Sequence, residues 1–198
     1  TSDVQYVVEQ LLDREPGLEI AAIGFSLGGN VLLKWLGETQ QRNPLKAAIA
    51  VSVPFELNKA ASHICKGFSK FYQWYFIRCL RESLSRKCRV TPLPMDSSVF
   101  YQVNTMYDFD DKITAPLHGF AGVEEYYAIS SSRQYLRRIQ VPTLIVQAKD
   151  DPFMPQDVIP NPSEISPKVE LEITKCGGHV GFVSGKYPWQ PHYWLEER

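Results

Sequence analysis

The stretch LEIAAIGFSLGGNVLLKWL, residues 18–36, decides the fold class of this chain. An apolar run from Leu18 to Phe25 leads into a glycine-rich turn, and apolar positions then recur at helical spacing from Asn30 to Leu36. This order predicts a strand, a sharp turn and a helix. Residues 24–28, GFSLG, match the pattern G-x-S-x-G, in which a serine sits on a tight strand-to-helix turn with its hydroxyl exposed.

We interpret Ser26 as a nucleophile. Three fixed residues appear by chance in a chain of this length with a probability on the order of 0.07, so the motif alone does not establish a nucleophile. The predicted strand before it and the predicted helix after it strengthen the interpretation. A side chain at Gly24 or Gly28 is expected to crowd the turn. The turn also places the backbone N–H of Leu27 at a helix N-terminus, where we expect it to stabilise an oxyanion.

Further apolar runs predict the rest of a parallel sheet. Residues 46–53 and 141–148 are nearly continuous apolar segments, as in strands covered on both faces, and residues 169–174 alternate as in a strand near a sheet edge. A first helix is predicted to begin with a capping box formed by Ser2 and Gln5. Strands that alternate with helices indicate an α/β fold with a doubly wound, mostly parallel sheet.

A long insertion separates the second and third predicted strands, at about residues 54–139. It is rich in aromatic and basic residues, and it is far longer than the dozen or so residues that a crossover connection needs. We expect a mostly helical cap over the site, with ordinary helix core as the alternative reading of its aromatic residues. No repeat or linker-like stretch interrupts the sequence, so residues 1–198 are predicted to form a single domain.

A serine hydroxyl needs a histidine to take its proton and a carboxylate to orient that histidine. In folds of this kind the chain order is serine, acid, histidine, with the last two on loops after late strands. His179 meets this condition, whereas His63 and His118 precede the predicted acid strand, and His192 lies in an aromatic tail where a packing role is expected. The pair Gly177-Gly178 would let its loop bring the His179 imidazole close to the serine.

Two aspartates, Asp150 and Asp151, directly follow the third predicted strand. We favour Asp151 as the acid, because it stands four residues before Pro155, as the catalytic aspartate does in the acid loop of many α/β-hydrolases. The alternative assigns catalysis to Asp150, which we otherwise read as a turn-capping carboxylate.

Four segments together resemble one family. Residues 24–30 (GFSLGGN), 109–120 (FDDKITAPLHGF), 148–155 (AKDDPFMP) and 177–182 (GGHVGF) are similar, in order and approximate spacing, to segments of the YheT-like α/β-hydrolases, a family with bacterial, animal abhydrolase-domain and plant embryogenesis-associated members. The resemblance implies a triad on Ser26, Asp151 and His179. It also implies activity on carboxylic esters, some of them lipids, without a metal or organic cofactor.

The segment FDDKITAPLHGF has no chemistry that follows from its residues alone. Asp108, Asp110 and Asp111 are open to a reading as metal ligands or as a solvated acidic turn. We expect a structural role, because further carboxylates beside a triad would disfavour an oxyanion.

Charge and cysteine content limit the possible partners. The formal net charge of −1 gives no sign of binding to nucleic acid or to an anionic membrane surface, and no apolar run approaches the length of a membrane span. We therefore expect a small-molecule ester or lipid substrate.

The four cysteines form no C-x-x-C pair, which favours free thiols and a cytoplasmic protein. They are Cys65, Cys79, Cys88 and Cys176. Cys176 and His179 lack a second close ligand pair, so we expect no zinc site.

No strand is predicted before the first helix, so we expect the first strands of the fold, and with them the second oxyanion donor, to lie outside this sequence. The leading hypothesis is ester hydrolysis through an acyl-enzyme on Ser26. The alternatives are a non-catalytic binding protein on the same fold, and a thioesterase or acyl transferase. The substrate-binding residues and the oligomeric state are left open by the sequence.

Overall fold

Four parallel strands form the main sheet. The computed structural model describes residues 1–91, 94–187 and 189–197, so Pro92, Leu93, Pro188 and Arg198, which fall within the predicted domain, lie outside the described residues. The sheet has the order β1-β2-β3-β4, with all neighbours parallel. Its strands are β1 (Ala21–Phe25), β2 (Ala47–Val51), β3 (Thr143–Ala148) and β4 (Val169–Thr174). The predicted α/β fold with a parallel sheet is confirmed.

Helices account for most of the remaining regular structure. They are α1 (Ser2–Arg14), α2 (Leu27–Thr39), α3 (Leu57–Ile64), α4 (Ser69–Val90), α5 (Met106–Phe109), α6 (Ala115–Leu117), α7 (Val123–Ser130) and α8 (Trp194–Glu197). A π-helical turn, Asp110–Thr114, joins α5 to α6, and two short strands, β5 (Val183–Ser184) and β6 (His192–Tyr193), pair antiparallel near the end of the chain. Single turns of 3₁₀-helix occur at Gln40–Arg42, Ser97–Gln102, Arg133–Arg138, Gln156–Val158 and Pro162–Glu164.

The first helix has the predicted extent but not the predicted cap. Its N-cap is Thr1, and no side chain caps it, so the capping box of Ser2 and Gln5 was wrong. Ser2 already lies inside the helix, and the Gln5 amide instead donates to the Glu9 carboxylate at 2.7 Å. A capping box requires the hydroxyl residue to precede the first helical position.

The chain divides into two compact units. The first comprises Thr1–Glu56, Ser131–Pro152 and Gln156–Arg198, and it contains the sheet. Within it β3 is buried along almost its whole length, whereas β1 leaves Ile23 63% and Phe25 50% exposed. Burial therefore rises from the β1 edge to β3, as expected when only an inner strand has neighbours on both sides.

The second unit comprises Leu57–Ser130 and Phe153–Pro155, and it is helical, as predicted for the insertion. One face of α4 contributes Ile77, Leu80 and Leu84 to a cluster with residues that follow it in the chain. The Phe153 ring packs edge-on against Tyr72 of α4, with 4.9 Å between the ring centroids. The proposed role of this unit as a cap stays a prediction.

Two of the three aspartates of the FDDK region hold local backbone groups. Asp108 forms a capping box with Thr105 at the start of α5: each side chain accepts from the backbone N–H of the other. The Asp111 carboxylate accepts the N–H of Val123, at the start of α7, at 3.3 Å. Both contacts are structural ones that satisfy N–H groups at the beginnings of helices.

Asp110 is a partly buried carboxylate with two local hydrogen-bond donors. It accepts hydrogen bonds from the hydroxyls of Tyr127 and Thr114, both at 2.8 Å. Burial raises the pKa of Asp110, and the two hydrogen bonds oppose that rise. The same burial raises the pKa of the neighbouring Tyr126 to about 12. These contacts favour the structural reading of this region.

Arg133 links three segments of the first unit. Its guanidinium binds the Glu164 carboxylate through two hydrogen bonds of 2.8 Å, pairs with Glu56, and donates to the Asp157 carbonyl at 3.1 Å. The hydrogen bond from Arg133 is the main reason that the pKa of Glu164 falls to about 2. Because this pKa lies below the ordinary value of 4.5, the pair stabilises the fold fully above pH 4.5, and this contribution is lost as the pH falls through about 2.

We expect Arg133→Met to lower the free energy of unfolding by about 1–3 kcal/mol at pH 7, a discounted value because the pair is partly exposed. Urea unfolding across pH measures it, and the loss should shrink between pH 4.5 and pH 2 as Glu164 takes up its proton. Arg138→Met, at an exposed position five residues later, is the matched control. A loss that is independent of pH would contradict the assigned role of the Glu164 carboxylate.

Candidate active site

Ser26 occupies a strained turn between β1 and α2. Its backbone lies at φ 49° and ψ −123°, a region that residues with a Cβ rarely adopt. The turn is held by the Ser26 N–H, which donates to the Val51 carbonyl at the end of β2 at 2.8 Å, and by the Ser26 carbonyl, which accepts from the Asn30 N–H at 3.1 Å. Strain of this kind persists only where the surroundings impose it, and it is concentrated at functional sites.

Close packing beneath the turn explains part of the glycine pattern. A Cβ at Gly24 would lie 2.7 Å from the Gly28 carbonyl oxygen, so the first glycine of the motif is required, as predicted. The expectation for Gly28 was wrong, because a Cβ there would meet no heavy atom of the described residues within 4 Å beyond its neighbours and its own helix. The second crowded position is Gly29, where a Cβ would lie 2.8 Å from a methyl group of Val53.

Leu27 is the first residue of α2, directly after the serine. The first N–H groups of a helix have no acceptor within the helix, and they carry the positive end of its dipole. The start of α2 is anchored by Asn30, a buried residue whose side-chain oxygen accepts the Ser132 N–H at 2.9 Å. The Leu27 N–H therefore lies at the start of α2, and its role as an oxyanion donor stays a prediction.

Asp151 and His179 meet directly. The His179 Nδ1 lies 2.9 Å from one Asp151 carboxylate oxygen and 3.1 Å from the other. The Asp151 side chain is 2% exposed and the His179 side chain 13% exposed. An ionised carboxylate only accepts hydrogen bonds, so opposite it Nδ1 is the donor, and Nε2 is then the nitrogen that can accept a proton.

Gln147 is a site residue that the sequence reasoning missed. It is buried on β3, and its side-chain oxygen accepts the Val53 N–H at 2.9 Å. This bond orients the amide so that its NH₂ group faces the Asp151 carboxylate, 3.4 Å away. A glutamine within the otherwise apolar run 141–148 was the signal that could have identified it, because a buried polar side chain needs partners.

Asp150 holds the loop that carries the His179 imidazole. One oxygen of Asp150 accepts the N–H groups of both Gly177 and Gly178 at 2.9 Å. Gly178 has φ +62°, and a Cβ at Gly177 would lie 2.6 Å from the Phe182 ring, so both positions require glycine. The structure thus separates the two aspartates: Asp151 contacts the histidine, and Asp150 contacts its backbone.

The other histidines lie in different surroundings. His63 is on α3, and His118 follows α6, both in the second unit. His192, on β6, contacts the Ser184 hydroxyl at 3.0 Å and the Glu197 carboxylate at 2.7 Å. All four cysteines are free thiols, and the described part of the chain contains no group of three or more His, Cys, Asp and Glu side chains that could hold a metal ion.

The three predicted triad residues follow the carboxyl ends of strands in one parallel sheet. Ser26 follows β1, Asp151 follows β3, and His179 lies on the loop after β4. Two strand spacings, about 10 Å, separate β1 from β3. The structure joins Asp151 to His179 by a hydrogen bond, whereas the pairing of Ser26 with His179 is inferred from this common edge.

Comparisons with known proteins agree with this architecture. A family model described as alpha/beta hydrolase fold matches residues 1–186. The chain is 44% identical over 190 residues to "Putative esterase YheT" of Escherichia coli (strain K12), covering 94% of this chain and 56% of that protein. It is 29% identical to "Phospholipase ABHD3" of Mus musculus, covering 98% of this chain and 47% of that protein. The chain therefore spans about half the length of these curated relatives.

A solved structure supports the same fold. An alpha/beta fold family hydrolase from Bacillus anthracis strain Sterne superposes with a TM-score of 0.52 at 15% sequence identity, covering 91% of this chain and 68% of that one. At this identity the likeness concerns the fold alone. With the family match over residues 1–186 and the tight serine turn after a strand of a parallel sheet, the chain belongs to the α/β-hydrolase fold family.

Proposed function

We propose that the protein is a serine hydrolase that cleaves carboxylic esters through an acyl-enzyme on Ser26, with His179 as the base and Asp151 as the orienting acid. The observation that carries this proposal is the 2.9 Å contact between His179 Nδ1 and Asp151, at the edge of the sheet where Ser26 occupies a strained turn. The nucleophile, the acid and the base follow one another in the chain order that this chemistry uses in α/β-hydrolases.

In the first half of the reaction, His179 Nε2 removes the proton from the Ser26 hydroxyl as its oxygen attacks the ester carbonyl. The tetrahedral intermediate carries its negative charge on the former carbonyl oxygen, which accepts a hydrogen bond from the Leu27 N–H. The imidazolium then gives its proton to the departing alkoxide. An alcohol leaves, and the acyl group remains on Ser26.

In the second half, water replaces the alcohol. His179 takes a proton from the water, whose oxygen attacks the acyl-enzyme carbonyl, and the proton passes to the Ser26 oxygen when the intermediate collapses. A carboxylic acid leaves, and the serine is restored. Asp151 stays ionised throughout, and it stabilises the imidazolium in both halves.

Two relatives support esters as the substrate class. One is named as an esterase and the other as a phospholipase, and both names describe cleavage of an ester bond. For this protein we propose esters of short or medium acyl chains, or lipid esters, as substrates.

Two measurements on the full-length protein test the proposal. A fluorophosphonate probe should label Ser26, as identified by peptide mass spectrometry, and nitrophenyl esters of graded chain length should be turned over. Labelling at another serine would remove Ser26 from the mechanism. Labelling at Ser26 without hydrolysis of any ester in the series would contradict esters as substrates.

A further inference from the structure

Helix α4 is strongly basic in a chain that is nearly neutral. It carries six basic residues and one acidic residue, so its charge is +5, whereas the whole chain carries −1. The other residues together therefore carry −6. The net charge of the whole chain, from which no anionic partner was predicted, hides this local excess of positive charge. Attraction to a charged surface depends on the charges within about one Debye length of it, and not on the net charge of the chain.

The helix also has two unlike faces. Gln73 and Ile77 are buried, and the residues one and two turns further along the same face pack into the cluster of the second unit. On the opposite side, the first half of the helix and the turn before it expose four aromatic side chains, by 52% to 77% of their area. We call these the aromatic face: Phe68, Phe71, Trp74 and Tyr75.

Three rings of the aromatic face, those of Phe68, Phe71 and Trp74, form a continuous patch. Ring centroids lie 6.4 Å apart for Phe68 and Phe71, and 5.9 Å apart for Phe71 and Trp74. The Arg78 guanidinium lies 6.0 Å from the centre of the Trp74 ring. Contiguous exposed apolar surface rimmed by polar groups is typical of an interaction site.

Basic side chains border this patch at a cavity of about 380 Å³ within the second unit. Lys70, Arg78 and Arg81 line it together with Trp74, and the one acidic residue of its lining, Glu82, is paired with Arg78. The Arg81 guanidinium is held at the side of this cavity, where it donates to the Val103 carbonyl and, at 3.4 Å, to the Asn104 side-chain oxygen. This cavity is suited to a phosphate group, since guanidinium and ammonium groups bind its oxygens.

We propose that α4 docks the protein onto the surface of an anionic phospholipid bilayer, with the aromatic face among the headgroups and acyl chains, and Lys70, Arg78 and Arg81 on the phosphates. Aromatic rings favour the boundary between water and hydrocarbon, and each basic residue near an anionic surface strengthens the attraction to it. None of the described helices is long and apolar enough to cross a membrane.

The packing of α4 argues against another occupant. A protein that wraps around a basic amphipathic helix needs access to all of its sides, and here Gln73 and Ile77 bind the helix to its own unit. A flat surface needs only the aromatic face. The proposal does not rest on the proposed ester hydrolysis, because binding can be measured without turnover.

Co-sedimentation of the full-length protein with vesicles tests the proposal. We expect binding to phosphatidylcholine vesicles that contain phosphatidylglycerol, weaker binding to phosphatidylcholine alone, and loss of binding as salt is added. The double variant Phe71→Ser/Trp74→Ser should bind at least about tenfold more weakly, and Lys70→Gln/Arg78→Gln should lose a similar factor at low salt.

Tyr101→Ser is the matched control, because Tyr101 is an exposed aromatic residue of the same unit outside α4, and it should bind like the wild type. Trp74 fluorescence should be quenched by brominated acyl chains, a signal that Trp74→Phe removes while binding persists. Thermal melts followed by circular dichroism verify that each variant is folded.

Three outcomes would overturn the proposal: no binding of the wild type to vesicles that contain phosphatidylglycerol at low salt, equal binding of folded Phe71→Ser/Trp74→Ser, or binding only to a single-stranded oligonucleotide that the same variants abolish. The last would assign the aromatic face to base stacking. The Ser26→Ala protein should bind vesicles like the wild type, so failure of the proposed hydrolysis and failure of docking are distinguishable.

Discussion

Replacing Ser26 with alanine is expected to lower kcat for ester hydrolysis by a factor on the order of 10⁴–10⁶, because no other group can form the acyl-enzyme. Steady-state hydrolysis of a nitrophenyl ester measures the loss, and the variant should no longer react with a fluorophosphonate. The hydroxyl is the only group removed, so the substrate should still bind. Activity equal to that of the wild type would exclude Ser26 as the nucleophile.

Stability separates loss of chemistry from loss of fold. Since Ser26 lies at φ 49°, alanine inherits the same backbone strain, and Ser26→Ala should unfold at nearly the wild-type temperature. Glycine adopts such a backbone without a Cβ penalty, so Ser26→Gly should be more stable than Ser26→Ala by about 1 kcal/mol while remaining inactive. If Ser26→Gly were less stable than Ser26→Ala, the assignment of backbone strain to this turn would be contradicted.

Replacing Asp151 with asparagine is expected to cost about 10³–10⁴ in kcat, because the imidazole would adopt the wrong tautomer. The NH₂ group of Gln147 faces the acid, so it should attract the asparagine oxygen and leave the asparagine NH₂ towards His179 Nδ1. Nδ1 then accepts a hydrogen bond, and Nε2 holds the proton that it needs to lose. Single-turnover kinetics with a chromogenic ester should place the loss in acylation.

Asp150→Asn is the matched control beside it. An asparagine oxygen can still accept hydrogen bonds from the N–H groups of Gly177 and Gly178, so the His179 loop should keep its place. We expect kcat to fall by about tenfold or less, because the change only weakens two hydrogen bonds by removing the charge of their acceptor. If Asp150→Asn were the more damaging of the two changes, the assignment of the acid would have to be reversed.

Local patterns predicted the sheet well. The run 169–174 became β4 with the same bounds, and runs 46–53 and 141–148 contain β2 and β3. In a parallel sheet the apolar run itself is the strand, so short-range sequence carries the information. The capping box predicted at Ser2 was wrong because the helix begins one residue earlier than the prediction required, so Ser2 is a helical residue and not the N-cap. Sequence alone does not fix the end of a helix to one residue.

The roles of the glycines could be predicted only in part. Gly24 belongs to a recognisable motif, and its close approach to Gly28 follows from the tightness of the turn itself. The need for glycine at position 29 comes from Val53, which arrives from the end of another strand, and no pattern local to the turn reveals it. The charge of α4 was present in the sequence, but only the helix geometry shows that its aromatic residues lie opposite its buried ones.

The sequence by itself determined the fold class, the position of Ser26 and the order of its candidate partners, because these depend on strand runs and turn residues that are close in the chain. Only the tertiary structure decided between Asp150 and Asp151 as the neighbour of His179, and only it brought Gln147 to the acid. Residues 28 apart in the chain meet through the register of β3 with β4, and the direction of a side chain at a strand end depends on backbone angles that its neighbours in space impose.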